Sequence, residues 1–293
     1  MATKRAFIFP GQGSQLSGMG ASLYESHPGI RFVFDQADEI LGFSLKNLMF
    51  HGAEEDLKRT EITQPAVFIY SYATFKANEP GSPDAVAGHS LGEITALVAA
   101  KALDFESGLR LVSARARAMQ AACEITNSTM AAILGLDDKT VHQICMDTPG
   151  IVVAANYNCP GQVVISGEFI SVEMAAESCK KAGAKRAIML PVGGAFHSPL
   201  MTPARDMFEE AIERTVFHTP VCPVYQNVDA DPTTTPGTIR HKLLHQLTAS
   251  VQWTNTIETM KADGITEYVE FGSKVLGGFV KKIDKEALVT SFE

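Results

Sequence analysis

A surplus of basic charge is missing from this sequence: 25 Lys and Arg stand against 33 Asp and Glu, for a net charge of −8. Without spare cations a chain has no general means of neutralising phosphates, which excludes a general nucleic-acid binder. Cysteine is scarce. The five present (Cys123, Cys145, Cys159, Cys179 and Cys222) are odd in number and form no CxxC pair. That excludes a disulfide framework and a zinc site of the usual spacing, and the thiols read as reduced, as in the cytosol. Long apolar runs are also absent. The richest stretch, residues 94–103, is interrupted by Lys101 and falls short of the ~18 residues of a membrane span. The opening MATKRAFIFPGQGSQ has too short an apolar run for a signal peptide, with Gly and Gln following at once. The expected location is cytoplasmic, with no membrane partner.

What is present is a folding composition. The chain has 293 residues, 45% of them hydrophobic and 20% charged. It is long enough to bury a substantial core, and its length fits two domains or one large domain with an insert. A short apolar strand at 6–9 ends in Pro10 and a glycine-rich loop, and helical patterns dominate from about 20 to 80. Thr63-Gln-Pro-Ala66 reads as a helix start, because proline suits a first turn. A strand at 84–88 leads into a helix from Leu91, with another over about 106–123.

The middle section differs in character. Residues 130–136 read as a strand, 137–147 as a helix with an acidic first turn, and 151–157 with 162–166 as a strand pair joined by the turn residues Asn158-Cys-Pro-Gly161. A helix over 171–182 capped by Gly183 and a strand over 185–192 complete the order β-α-β-β-α-β of a ferredoxin-like unit. The expected division is therefore an outer domain, 1–125 with 197–293, and an inserted subdomain, 126–196. After 197 the alternation resumes: strands at 221–228 and 266–271, helices at 239–247, 254–263 and 275–283. The outer domain reads as α/β with a mostly parallel sheet.

Gly88-His-Ser-Leu-Gly92 fits G-x-S-x-G, the nucleophile elbow. Small glycines permit a sharp strand-to-helix turn that lifts the Ser90 hydroxyl above the sheet. The following helix start supplies N–H groups for developing negative charge. The serine needs a base. His89 adjoins it on a tight turn and points elsewhere; His27, His51, His142 and His218 lie in polar stretches; His241 and His245 share one helix face. His197 follows the glycine-rich Val192-Gly-Gly-Ala-Phe196 and is the favoured base. Gly11-Gln-Gly-Ser-Gln15 is open to two readings. It is a phosphate cradle, although it lacks G-x-G-x-x-G and the Walker lysine, or it is a loop giving the second oxyanion donor. From the residues alone, Arg115 and Arg117 are not distinguished.

The motifs taken together carry more. Phe9-Pro-Gly-Gln-Gly-Ser-Gln15, Thr63-Gln-Pro-Ala66, Gly88-His-Ser-Leu-Gly-Glu93, Asn158-Cys-Pro-Gly-Gln-Val-Val164, Ala195-Phe-His-Ser198 and Ser250-Val-Gln-Trp253 run through nearly the whole chain. In this order they resemble the malonyl-CoA:acyl carrier protein transacylases, and more broadly the acyltransferase domains of polyketide and fatty acid synthases. The resemblance implies an α/β-hydrolase-like large domain with a ferredoxin-like insert. It implies Ser90 as nucleophile, His197 as base and acid, and the backbone N–H groups of Gln12 and Leu91 as the oxyanion hole. Arg115 would hold the malonyl carboxylate, Gln64 would line the same pocket, and the carbonyl of Gln252 would orient His197.

Malonyl-CoA and holo acyl carrier protein are the implied substrates, with no metal and no bound cofactor beyond the coenzyme A thioester and the carrier-borne phosphopantetheine. Lys180, Lys181, Lys185 and Arg186 are candidates for a basic patch facing an acidic carrier. Two departures from the family pattern are visible: Phe271-Gly-Ser-Lys-Val275 is shorter than the usual turn and lacks its proline, and Ala116 follows Arg115 where glycine is common. The rival reading is a serine esterase or thioesterase, although α/β-hydrolases place an acid and then the histidine late in the chain.

Overall fold

The computed structural model describes residues 4–78 and 81–293. Residues 1–3, part of the N-terminal reading, and 79–80, the end of the expected helical stretch, lie outside the described residues. The chain begins with β1 (Lys4–Phe9) and four helices, α1 (Ala21–Ser26), α2 (Arg31–Leu41), α3 (Leu45–His51) and α4 (Thr60–Asn78). Strand β2 (Ala85–Gly88) turns into α5 (Gly92–Ala99), followed by the long α6 (Phe105–Ile125). A second sheet unit then runs β3 (Ser128–Leu134), α7 (Asp138–Asp147), β4 (Val152–Cys159), β5 (Gln162–Glu168), α8 (Phe169–Lys181) and β6 (Arg186–Met189). The return comprises α9 (Thr202–Arg214), β7 (Val224–Tyr225), β8 (Pro232–Thr233), α10 (Pro236–His245), α11 (Trp253–Ala262), β9 (Ile265–Phe271), α12 (Val275–Ile283) and β10 (Leu288–Phe292).

The larger sheet has the order β10-β9-β1-β2-β7-β8. Every pairing in it is parallel except β7 with β8. A parallel sheet is covered on both faces, so its central strands are apolar throughout rather than alternating. β1 shows why: Phe7 and Phe9 enter the core under the N-terminal helices, while Ala6 and Ile8 face the opposite core with Trp253, Ile257 and Val280. Phe9 stacks on Phe271 at 5.6 Å and Phe7 meets the same ring edge-on at 5.2 Å, which ties β1 to β9 near the carboxyl ends of the strands. In open α/β sheets that is the end where ligands bind.

The smaller sheet has the order β4-β5-β3-β6 and is antiparallel throughout. Ala131, Ile133, Val163 and Ile165 pack on one face against Val141 and Cys145 of α7 and Val172 and Cys179 of α8. The alternate residues Met130, Ala155 and Val164 join the core of the larger unit. The period of two along a strand thus assigns one face to the unit's own helices and the other to the space above the larger sheet.

Several expected boundaries moved. α4 starts at Thr60, not Thr63, because the Ile62 and Thr63 N–H groups both find the Arg59 carbonyl at 2.8 Å; Pro65 therefore sits inside the helix. The strand expected at 221–228 pairs over only two residues, and the one expected at 185–192 over four. α9 and the edge strand β10 were not among the expected elements. At the shortened turn, Glu270 accepts from the N–H groups of Leu276 (2.9 Å) and Gly277 (2.8 Å), so a carboxylate caps α12 where the family pattern has a proline-containing turn.

Candidate active site

Gly88 and Gly92 are required by close packing. A Cβ on Gly88 would lie 1.9 Å from the backbone of Gly92, and one on Gly92 would lie 2.1 Å from the carbonyl oxygen of Phe9. Between them Ser90 takes a left-handed φ of 54°, a conformation that a non-glycine residue adopts only where its surroundings impose it. The surroundings are visible. Ser90 N–H donates to Asn227 Oδ1 at 2.6 Å, Asn227 Nδ2 donates to the Gly88 carbonyl at 2.7 Å, and Gln246 Nε2 donates to the Ser90 carbonyl at 3.0 Å. Asn227 and Gln246 hold the elbow from either side.

His197, also left-handed with φ 58°, places Nε2 2.7 Å from Ser90 Oγ. Among the described residues its Nδ1 faces only carbonyl oxygens, those of Gln246 at 2.9 Å and Ala249 at 3.2 Å. An acceptor-only neighbourhood puts the proton on Nδ1 and leaves Nε2 free to accept from serine. Burial, reinforced by the nearby Arg115 charge, pulls the imidazole down to about 3, so the ring is neutral in the resting site. The carbonyl of Gln252, expected to orient this ring, is engaged elsewhere: it accepts from Thr256 N–H at 2.8 Å and Thr256 Oγ1 at 2.9 Å at the start of α11. Gln246 and Ala249 hold the imidazole instead.

Arg115, on α6, is 1% exposed. Its Nη1 donates to Gln64 Oε1 at 2.8 Å, and Nη2 to Gln246 Oε1 at 2.9 Å and Ser90 Oγ at 3.1 Å. Burial lowers its pKa to about 10, against the opposing pull of Glu93, so it stays a cation at neutral pH. Arg117, two residues on and round the other side of the helix, is exposed and donates to Ser113 Oγ at 3.1 Å. Ala116 is fully buried, and the methyl group is accommodated.

The glycine-rich loop after β1 lies against the elbow. A Cβ on Gly11 would sit 2.5 Å from the His89 carbonyl oxygen, and His89 N–H donates to Phe9 O at 2.9 Å. Among the described residues the backbone N–H groups of Gln12 and Leu91 have no acceptor. Gln12 Oε1 meets Gln64 Nε2 at 3.5 Å. His89 does not face the serine: it turns to Asn158 Oδ1, 2.8 Å away on β4, and burial lowers its pKa.

Above the elbow opens a cavity of about 540 Å³. Gln12, Gln64, Ser90 and His197 line it from the larger unit; Asn156, Asn158 and Val164 line it from the smaller sheet; Val275 and Phe279 of α12 stand beside them. A mostly apolar cleft with a few convergent polar groups suits a small acyl ligand on a long arm. The basic candidates separate. Lys180 and Lys181 lie on α8, which covers the sheet face turned away from the cavity, and Lys180 is engaged with Glu177 at 3.5 Å. Arg186 opens β6, whose continuation at 190–192 reaches the cavity wall. Among the described residues no cluster of His, Cys, Asp and Glu is arranged to hold a metal ion.

Asn227 and Gln246 were not singled out from the sequence, and Glu93 stood there only as the last residue of the elbow motif, without a role. The signal for Asn227 was a polar Gln226-Asn227 pair closing an apolar strand at the ligand-binding end of a parallel sheet. Gln246 offered none, since its decisive group for His197 is a backbone carbonyl.

Comparison with known proteins gives a consistent result. Residues 6–272 match the acyl transferase domain family. The chain is 44% identical over 289 residues to the malonyl CoA-acyl carrier protein transacylase of Bacillus subtilis, covering 97% of this chain and 91% of that one. Against the protein of the same name from Escherichia coli it is 42% identical, covering 96% and 93%. An acyl carrier protein S-malonyltransferase from Vibrio cholerae superposes with a TM-score of 0.94 at 40% identity, over 99% of this chain and 96% of that one. A malonyl-transacylase solved in complex with a type II PKS acyl-carrier protein superposes at 0.95, with 39% identity and the same coverage.

Proposed function

This chain belongs to the acyl transferase domain family, and from that premise we propose that it moves a malonyl group from malonyl-CoA to the phosphopantetheine thiol of acyl carrier protein through an ester on Ser90. The observation that carries the reading is the buried Arg115 guanidinium 3.1 Å from the nucleophile. A cation there serves an acyl group that ends in a carboxylate, and its planar fork suits two parallel hydrogen bonds.

Ser90 Oγ gives its proton to His197 Nε2 and attacks the thioester carbonyl carbon. The carbonyl oxygen becomes an oxyanion taken up by the free N–H groups of Gln12 and Leu91, the latter at the start of α5. The C–S bond breaks, and coenzyme A leaves as the thiol with the proton from His197. The malonyl-serine ester keeps its carboxylate on Arg115, which Gln64 and Gln246 hold in place. In the second half the carrier thiol gives its proton to His197 and attacks the ester; Ser90 recovers its proton as the C–O bond breaks. The malonylated carrier supplies chain elongation in fatty acid synthesis.

We read the larger unit, 1–125 with 197–293, as α/β-hydrolase-like and 126–196 as a ferredoxin-like insert. The order β4-β5-β3-β6 in an antiparallel sheet with two covering helices supports the second assignment. The cytoplasmic location is supported by the five free cysteines and by the absence, among the described residues, of a helix long and apolar enough to cross a membrane.

Mixing the protein with malonyl-CoA and holo acyl carrier protein is the direct test. Mass spectrometry should show malonylated carrier; free malonate with unmodified carrier would make this a hydrolase. The pH profile follows from His197. The base form is the neutral imidazole, and with a pKa near 3 it persists as pH falls through 6.5. The kcat/KM for malonyl-CoA should therefore stay flat from pH 8 to 5, where an unperturbed imidazole of pKa 6.5 would have lost about thirtyfold. An acid limb near pH 6.5 would contradict the buried, desolvated histidine.

A further inference from the structure

Glu93, the second residue of α5, is fully buried beneath the elbow. Both of its carboxylate oxygens accept hydrogen bonds: Oε1 from Gln226 Nε2 at 3.0 Å, and Oε2 from the backbone N–H of Asn227 at 2.8 Å. Burial raises its pKa, while the hydrogen bonds from Gln226, Asn227 and Gln246 and the Arg115 charge oppose that rise and favour the ionised form, as does its place in the first turn of a helix. Arg115 has the reverse problem. Its guanidinium is buried, yet its three acceptors, Gln64 Oε1, Gln246 Oε1 and Ser90 Oγ, are all neutral. A buried cation without an anion nearby is strongly unfavourable. Gln246 stands between the two charges, accepting from Arg115 through its carbonyl and turning its amide toward Asn227 Oδ1 at 3.4 Å and the Glu93 carboxylate. Among the described residues His197 also feels the Arg115 charge, but it is a buried imidazole and supplies no negative charge.

We infer that Glu93 is a positioning residue that also acts electrostatically. Its buried carboxylate balances Arg115 until a substrate carboxylate arrives, and through Asn227 and Gln246 it holds Ser90 in place. This rests on the malonyl-transfer reading of the same site. When malonyl binds, two carboxylates share one guanidinium, so Glu93 limits the ground-state grip on the substrate. Uniform tight binding of that kind would not speed the chemical step.

Glu93→Gln removes the charge and leaves an amide that can accept from only one of the two donors. Two constants are expected to fall together: KM for malonyl-CoA by about tenfold, the size usual for groups coupled in one network, and kcat because Asn227 is less well held. KM for acetyl-CoA, which has no carboxylate to serve as counter-ion, does not fall. Free malonate should raise the thermal midpoint of Glu93→Gln more than that of the wild type; acetate should not, and the additional change Arg115→Ala should remove the malonate effect. Glu93→Asp keeps the charge and should leave KM for malonyl-CoA within about twofold, which keeps the inference testable if the glutamine variant folds poorly.

Equal shifts in both KM values, or equal malonate stabilisation of variant and wild type, would overturn the inference. So would an aspartate variant whose malonyl KM falls about tenfold, as expected on loss of the charge. Should the wild type fail to transfer malonyl at all, the functional reading falls, and the malonate melting comparison still judges Glu93.

Discussion

Ser90→Ala is expected to lower malonyl transfer roughly 10⁵-fold, the scale of loss when a nucleophile that works as a unit with its base is removed. The geometry makes the loss specific. Ser90 Oγ is the group that meets His197 Nε2 at 2.7 Å and Arg115 Nη2 at 3.1 Å, and alanine leaves the base without a proton to take. The elbow itself is held by contacts to the Ser90 backbone, from Asn227 and Gln246, which alanine preserves. The variant should therefore fold, melt close to the wild type and still bind malonyl-CoA, while taking up no malonyl label. Residual transfer above about 1% of wild type would point to direct attack by the carrier thiol and contradict a covalent route.

Arg115→Ala is expected to separate acyl groups. Two charge-assisted hydrogen bonds to a buried carboxylate, at ~1.5–3 kcal/mol each, amount to a loss of about 10²- to 10³-fold in kcat/KM for malonyl-CoA once partial compensation by water is allowed. Acetyl-CoA has no carboxylate to lose, so its transfer should hold or rise. Arg115→Lys keeps the charge but not the fork and should recover only part of the malonyl rate. The change to alanine also strands the carbonyls of Gln64 and Gln246 and leaves Glu93 unbalanced, so a lower melting temperature is expected and the kinetics should be read well below it. An equal fall for both acyl groups would make Arg115 a structural residue and remove the basis of malonyl selectivity.

The parts of this site visible in the sequence were those in which side-chain chemistry and local backbone agree. Gly88 and Gly92 announced a tight elbow, and the structure shows that each would collide with backbone if given a Cβ. His197 stood out by its glycine-rich approach, and it meets Ser90 across 107 residues of chain. β1 was legible because both faces of a central parallel strand are buried.

What stayed hidden depends on contacts that no residue pattern encodes. The group that orients His197 is a peptide carbonyl, which any residue can offer, so the assignment to Gln252 was misplaced and Gln246 does the work. Arg115 and Arg117 differ only by their azimuth on α6, which the amphipathic pattern alone left open. β10 was missed because its residues are mostly half-exposed on a sheet edge and show no strong alternation. The shortness of β7 reflects its place near the other edge, where only Val224 and Tyr225 reach a partner on β2.

The central claim is that malonyl rests on Ser90 between two transfers. Its most direct test is a two-step intact-mass experiment on the protein with malonyl-CoA alone, followed by addition of holo acyl carrier protein to the isolated adduct. The account predicts a single malonyl increment that maps to the peptide containing Ser90 and then moves to the carrier in stoichiometric amount. An unmodified protein in the first step, or an adduct that releases malonate without labelling the carrier, would contradict it.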